Sequence, residues 1–136
     1  MRKGKYFLII AICLIAVYLI YSFFKPGVKI SINNNTFKEI SGLKIKSSAL
    51  INDVKITNIS KRSKYTIKLK LSKDFDESNM TMYYFDNKGS KHSIYLLGYF
   101  EKGYRGKIDV TLNSINTKGI LSVNVKEHNN IFKKLF

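Results

Sequence analysis

Residues 65–71, YTIKLKL, set apolar side chains at Tyr65, Ile67, Leu69 and Leu71 between polar ones at Thr66, Lys68 and Lys70. Successive side chains of a strand point to opposite faces. A period of two therefore predicts a strand with one face in a core and the other in water. The same alternation carries Val28, Ile30 and Ile32; Leu43 and Ile45; Val54 and Ile56; Ile108, Val110 and Leu112; and Leu121, Val123 and Val125. Two further runs, 80–85 (MTMYYF) and 93–98 (SIYLLG), are apolar on both faces, which predicts central strands or strands beneath a covering element. Asp86-Asn87-Lys88-Gly89 between them has the composition of a hairpin turn. Lys61-Arg62-Ser63 is expected to join a second pair of strands, and residues 113–119 a third. Helical periodicity is not expected after Pro26, apart from a turn near Asp74 to Ser78.

About eight short strands, spaced roughly 8 to 12 residues apart, predict an all-β domain. The expected architecture is an immunoglobulin-like antiparallel β-sandwich on a short stalk. Residues 25–136 contain no cysteine and the chain contains no tryptophan. The inter-sheet disulfide and core tryptophan of immunoglobulin domains are thus missing, and the likeness is one of architecture alone. The 112 residues from Lys25 onward must fold on an apolar core without a staple, which this length allows.

Ahead of the strands stands YFLIIAICLIAVYLIYSFF, residues 6–24, without a charge. About 20 apolar residues at 1.5 Å each cross a hydrocarbon core of about 30 Å, so a transmembrane helix is expected here. Tyr6, Tyr18 and Tyr21 lie toward its ends, at headgroup level. Pro26-Gly27 stops the helix. Arg2, Lys3 and Lys5 precede the run, and Lys25 and Lys29 follow it. The bias predicts a cytoplasmic N-terminus and an extracytoplasmic domain. A cleaved signal peptide would have a shorter apolar core and small residues before the cut, whereas Tyr21-Ser22-Phe23-Phe24 offers no such site. The expected organisation is a basic cytoplasmic segment 1–5, a signal-anchor helix 6–24 and an exported domain 25–136. Cys13, mid-span and preceded by Ile12, reads as a small apolar residue. The single proline and the abundance of Lys, Asn, Ile and Ser suit an AT-rich bacterial genome.

Charge is the second signal. Lys and Arg number 24 against 9 Asp and Glu; without Arg2, Lys3 and Lys5 the exported domain carries 21 against 9, a net +12. Such a field attracts anionic headgroups, anionic wall polymers and free DNA. The same lysines also serve as a solvated surface that protects edge strands.

Two constellations are candidate binding sites. The first is the loop Gly98 to Gly106, in which Tyr99, Phe100 and Tyr104 interleave with Lys102 and Arg105. Aromatic and cationic side chains together suit sugars, bases or a protein partner. The competing expectation is that the aromatics cap one end of the core while the glycines make turns. The second is a basic face of Lys44, Lys46, Lys55, Lys68 and Lys70, which would form one wall if strands 43–46 and 65–71 shared a sheet. Asp74 to Asn79 opens like a calcium loop, but Asn79 replaces the glycine at its sixth position and Phe85 stands at its twelfth. His92 and His128 lack metal-ligand spacing, and no G-x-S-x-G, H-E-x-x-H or phosphate-loop pattern occurs. No catalytic set, metal or cofactor is expected. The C-terminal IFKKLF, residues 131–136, mixes apolar and cationic residues that suit a strand edge or contact with a membrane surface.

The composite expectation is a membrane-anchored, non-enzymatic module that binds a protein or cell-envelope partner, as an accessory subunit, sensor partner or immunity-type factor would. The alternative is a surface receptor for polyanions or DNA. An exported hydrolase is a third and weaker reading.

Overall fold

The computed structural model describes residues 2–23 and 25–129, and residues 131–136 with their mixed motif lie outside them. One helix, α1 (Arg2–Phe23), precedes eight strands: β1 (Gly27–Asn34), β2 (Lys44–Lys46), β3 (Val54–Lys55), β4 (Lys64–Leu69), β5 (Glu77–Phe85), β6 (Lys91–Glu101), β7 (Arg105–Ile115) and β8 (Leu121–Asn129). The segment Gly4–Ser22 of α1 is long and apolar enough to cross a membrane, and none of it is buried against the rest of the chain. In a water-soluble domain such a helix would bury at least a stripe.

The strands form two four-stranded sheets, ordered β4-β1-β7-β8 and β3-β2-β5-β6. Their inner faces share one core. Val28, Ile30, Ile32, Ile108, Val110 and Leu112 come from the first sheet, and Ile45, Met80, Met82 and Leu97 from the second. The six segments expected from alternation and the two doubly apolar runs are all strands. β1 is central in its sheet, and for that reason it is buried over most of its length.

Five expectations are corrected. The sandwich is not purely antiparallel, because β1 and β7 run parallel from Gly27↔Arg105 to Asn34↔Leu112. In an immunoglobulin constant domain the first two strands are sheet neighbours; here β1 and β2 lie in different sheets. Lys61-Arg62-Ser63 does not close a hairpin, since it leads from β3 in one sheet to β4 in the other. The doubly apolar β5 is interior, but β6 is an edge strand, and their outer face carries exposed Phe85 and Tyr95. Asp74 to Ser78 forms no helical turn.

Hydrogen bonds pin the connections at both ends. At one end, Asn34 is buried and its amide nitrogen donates to the carbonyls of Lys38, Ile59 and Ser60, at 2.8, 3.0 and 3.1 Å. Its side-chain oxygen accepts from the Thr36 amide and hydroxyl. One side chain thus ties the β1–β2 connection to the β3–β4 connection. At the same end the two hairpin tips dock. The Asn87 amide donates to Lys118 O at 3.1 Å, and its side chain donates to Thr117 O at 3.0 Å. At the opposite end, Gly27 N donates to Tyr104 O and Lys102 N to Asp76 O, both at 3.0 Å. That end is where the chain arrives from α1.

Candidate functional site

Strand alternation turns Thr81, Tyr83 and Phe85 of β5 outward, because Met80, Met82 and Tyr84 are in the core. Register sets the neighbours. Tyr83 lies opposite Lys44 on one side and Ser93 on the other, and Lys44 lies opposite Lys55. Thr81 lies between Lys46 and Tyr95, and Phe85 faces Lys91. The outer surface of this sheet is therefore a mosaic of lysines and aromatic rings.

Tyr83 is its centre. The Lys91 ammonium sits 4.2 Å from its ring centroid and that of Lys44 5.9 Å, both within cation–π reach. Phe85 meets the ring edge-on, with centroids 6.2 Å apart. The Tyr83 hydroxyl donates to Asp53 Oδ2 at 2.7 Å. That hydrogen bond, then burial, then the Asp53 charge, push the phenol above its ordinary value, so it stays a donor. Tyr83 is held on four sides, whereas Phe85 (55% exposed) and Tyr95 (68%) present open rings beside it. A fixed ring flanked by cations and open aromatics can stack on, and hydrogen-bond to, a flat partner surface.

The Gly98–Gly106 loop is mostly strand. β6 runs to Glu101, a turn closed by Tyr104 N→Glu101 O at 3.1 Å follows, and β7 starts at Arg105. Gly103 holds φ +84° in that turn, a conformation that side chains disfavour. Phe100 is wholly buried, edge-on to Phe75, and Tyr104 packs on Phe100 while its hydroxyl donates to Glu127 at 2.8 Å. Burial and that hydrogen bond push the Tyr104 phenol upward. These two rings fill the end of the core. Tyr99 and Lys102 are exposed and Arg105 is half-exposed. The Tyr99 hydroxyl donates to Glu101, which raises its pKa to about 12.

The expected lysine wall is divided. Lys44, Lys46 and Lys55 belong to β2 and β3, but Lys68 lies on β4 in the other sheet and Lys70 just beyond it. Asp53, Tyr83, Phe85, Lys91 and Tyr95 are additions that sequence reasoning passed over. For four of them the signal was present: the Asp86–Gly89 turn fixes the β5–β6 register, which sets Phe85 opposite Lys91 and places Tyr83 and Tyr95 on the same face, whereas Asp53 lies ahead of β3, outside that register.

The histidines serve the scaffold. His92 pairs with Asp86 at 2.9 Å and stacks on Tyr84, bracing the hairpin. His128 pairs with Asp109 at 2.8 Å. Among the described residues, no group of three or more His, Cys, Asp or Glu could hold a metal ion. No family model, curated protein or solved structure matches this chain.

Proposed function

We propose that the chain is a membrane-anchored, non-enzymatic binding module that engages a protein partner through the Tyr83–Phe85–Tyr95 mosaic. The observation that carries this is Tyr83 itself, clamped by Lys44, Lys91 and Asp53 beside two open rings. Rigid aromatic anchors beside cations are the usual energetic centres of protein interfaces. In this reading α1 spans the bacterial cytoplasmic membrane with its N-terminus inside, as the flanking cations favour. Confinement to the membrane raises the effective concentration for a partner embedded there, so a modest surface suffices.

The test places a photo-crosslinking side chain at Tyr95 and, separately, at Thr66 on the opposite sheet, in intact cells. Adducts are expected from Tyr95 and not from Thr66. Equal labelling from both faces would remove the proposal. Tyr95→Ala is expected to weaken the complex about tenfold, ~1.4 kcal/mol, without changing the melt. Protease added to spheroplasts should digest residues 25–136, and their protection would reverse the topology.

A second reading, a polyanion receptor, draws on Lys44, Lys46, Lys55 and Lys91 around the same rings. Adducts that vanish between low and physiological salt would favour it, because phosphate contacts release counterions and packed interfaces do not.

A further inference from the structure

The sheet β4-β1-β7-β8 has a different outer face. Register aligns Lys68, Lys29, Lys107 and His128 in one row across all four strands. Like charges directly opposite one another destabilise a sheet, and Lys29 has a lysine on each side. Lys107 and His128 share Asp109, but among the described residues neither Lys29 nor Lys68 reaches a carboxylate. A row that costs stability and is left partly uncompensated marks a surface shaped by something other than folding.

Its position says what that is. Gly27 opens β1 and α1 ends at Phe23, so the row lies two residues beyond the start of the domain, roughly 7 Å along the strand. The Lys25 ammonium lies 5.6 Å from the Tyr21 ring centroid. An aromatic and a cation at the end of an apolar helix mark the headgroup level of a bilayer. Only three positions separate the end of α1 at Phe23 from the start of β1 at Gly27. In the row and the two beyond it, every outward side chain is polar, so an apolar protein surface finds no match here. Asp76 and Glu101, tied to the same end through Lys102 and Tyr104, sit on the other sheet's side. The end nearest α1 is therefore basic on one sheet and acidic on the other.

We infer that the Lys68–Lys29–Lys107–His128 row docks on the phosphate headgroups of anionic phospholipids around α1. This rests on the reading of α1 as a membrane span. The contact tilts the domain with its basic sheet toward the bilayer and turns the Tyr83 mosaic toward the partner. Attraction to an anionic leaflet fades within about a Debye length, about 10 Å at 0.1 M salt, so it acts only on residues this close to the surface.

The test uses the full chain in lipid nanodiscs, with Cys13→Ala and a donor dye on Asn124→Cys in the outer face of this sheet. The acceptor is a headgroup-labelled lipid. Energy transfer is expected to rise when phosphatidylglycerol is mixed into phosphatidylcholine. That rise should disappear in high salt and in the triple variant Lys29→Gln, Lys68→Gln, Lys107→Gln, whose fold is checked by circular dichroism. Comparing lipids and salt does not need the lysine substitutions, so the test survives a triple variant that fails to fold. Transfer that ignores lipid charge, or a rise that persists in a folded triple variant, overturns the inference and leaves the span intact. A chain that never enters the discs overturns the span and the inference together. Binding of free polyphosphate in discs whose lipid charge changes nothing would reassign the row to soluble polyanions and overturn it as well.

Discussion

Asn34 shows how much one side chain can hold. It is buried, and its amide donates to three carbonyls from two different connections while accepting twice from Thr36. Each of the three carbonyls keeps another donor, but removing Asn34 cuts the ties between the two connections and takes the acceptor of the buried Thr36 amide, an unpaired group that costs about 1–3 kcal/mol. Asn34→Ala is expected to lower stability by about 2–4 kcal/mol in denaturant titrations. Phe100 and Tyr99, adjacent in sequence, should behave oppositely. Phe100→Ala empties the end of the core and is expected to cost about 3–5 kcal/mol, whereas Tyr99→Ala should stay within about 0.5 kcal/mol. Asp86 is held below its ordinary 3.8 by the hydrogen bond from His92, helped by the Ser90 and Lys88 amides. At Asp109 burial pushes the carboxyl up, but hydrogen bonds from Lys107 and His128 outweigh it and the net direction is down. A lowered folded value means that the stabilisation is fully present above pH 3.8 and fades as pH falls through the folded value. Thermal melts should therefore drop on acidification below that point, and less steeply in Asp86→Asn.

At the scale of elements, the strands were legible because their period of two is strict wherever one face is wet. Ile67, Lys68 and Leu69 announce β4 without help from any neighbour. What alternation does not carry is which strands pair, since any half-buried strand can present the same pattern. That is why Lys44 and Lys68 could be imagined on one wall, and why the parallel β1–β7 pair had no local sign. The doubly apolar β5 and β6 had a local sign with two meanings, burial of both faces or an exposed binding face. Only sheet order separates them. Within the proposed binding surface, Lys44, Lys46 and Lys55 were found as charges, and Tyr83 was hidden by reading its run as core. Hairpin docking also has a local test. Gly119 holds φ +82°, and a Cβ there would lie 2.6 Å from Asn87 Oδ1. Gly119→Ala should cost about 1–3 kcal/mol and part the two hairpin tips, seen as faster amide exchange at Asn87. Lys29→Gln should do the reverse, raising stability by up to about 1 kcal/mol as the row's repulsion is relieved.

For the whole molecule, charge works against compactness. The domain carries net +12, and its three ion pairs among the described residues include two that depend on histidine. Self-repulsion of that size is screened by electrolyte. Adding salt to the full chain in uncharged detergent should therefore raise the melting temperature, opposite to a protein held by surface ion pairs. Partner binding through the Tyr83 mosaic should be nearly indifferent to the same change.

The parallel pairing of β1 with β7 also sets a timetable. The first strand to be synthesised has as its neighbour one that begins only at Arg105. Until the ribosome has supplied that distant stretch, Ile30 and Ile32 lack half their sheet, and closing so long a loop is entropically slow. The polypeptide must stay open through most of its own production, and a stop codon anywhere before Leu112 yields a product that cannot complete its core.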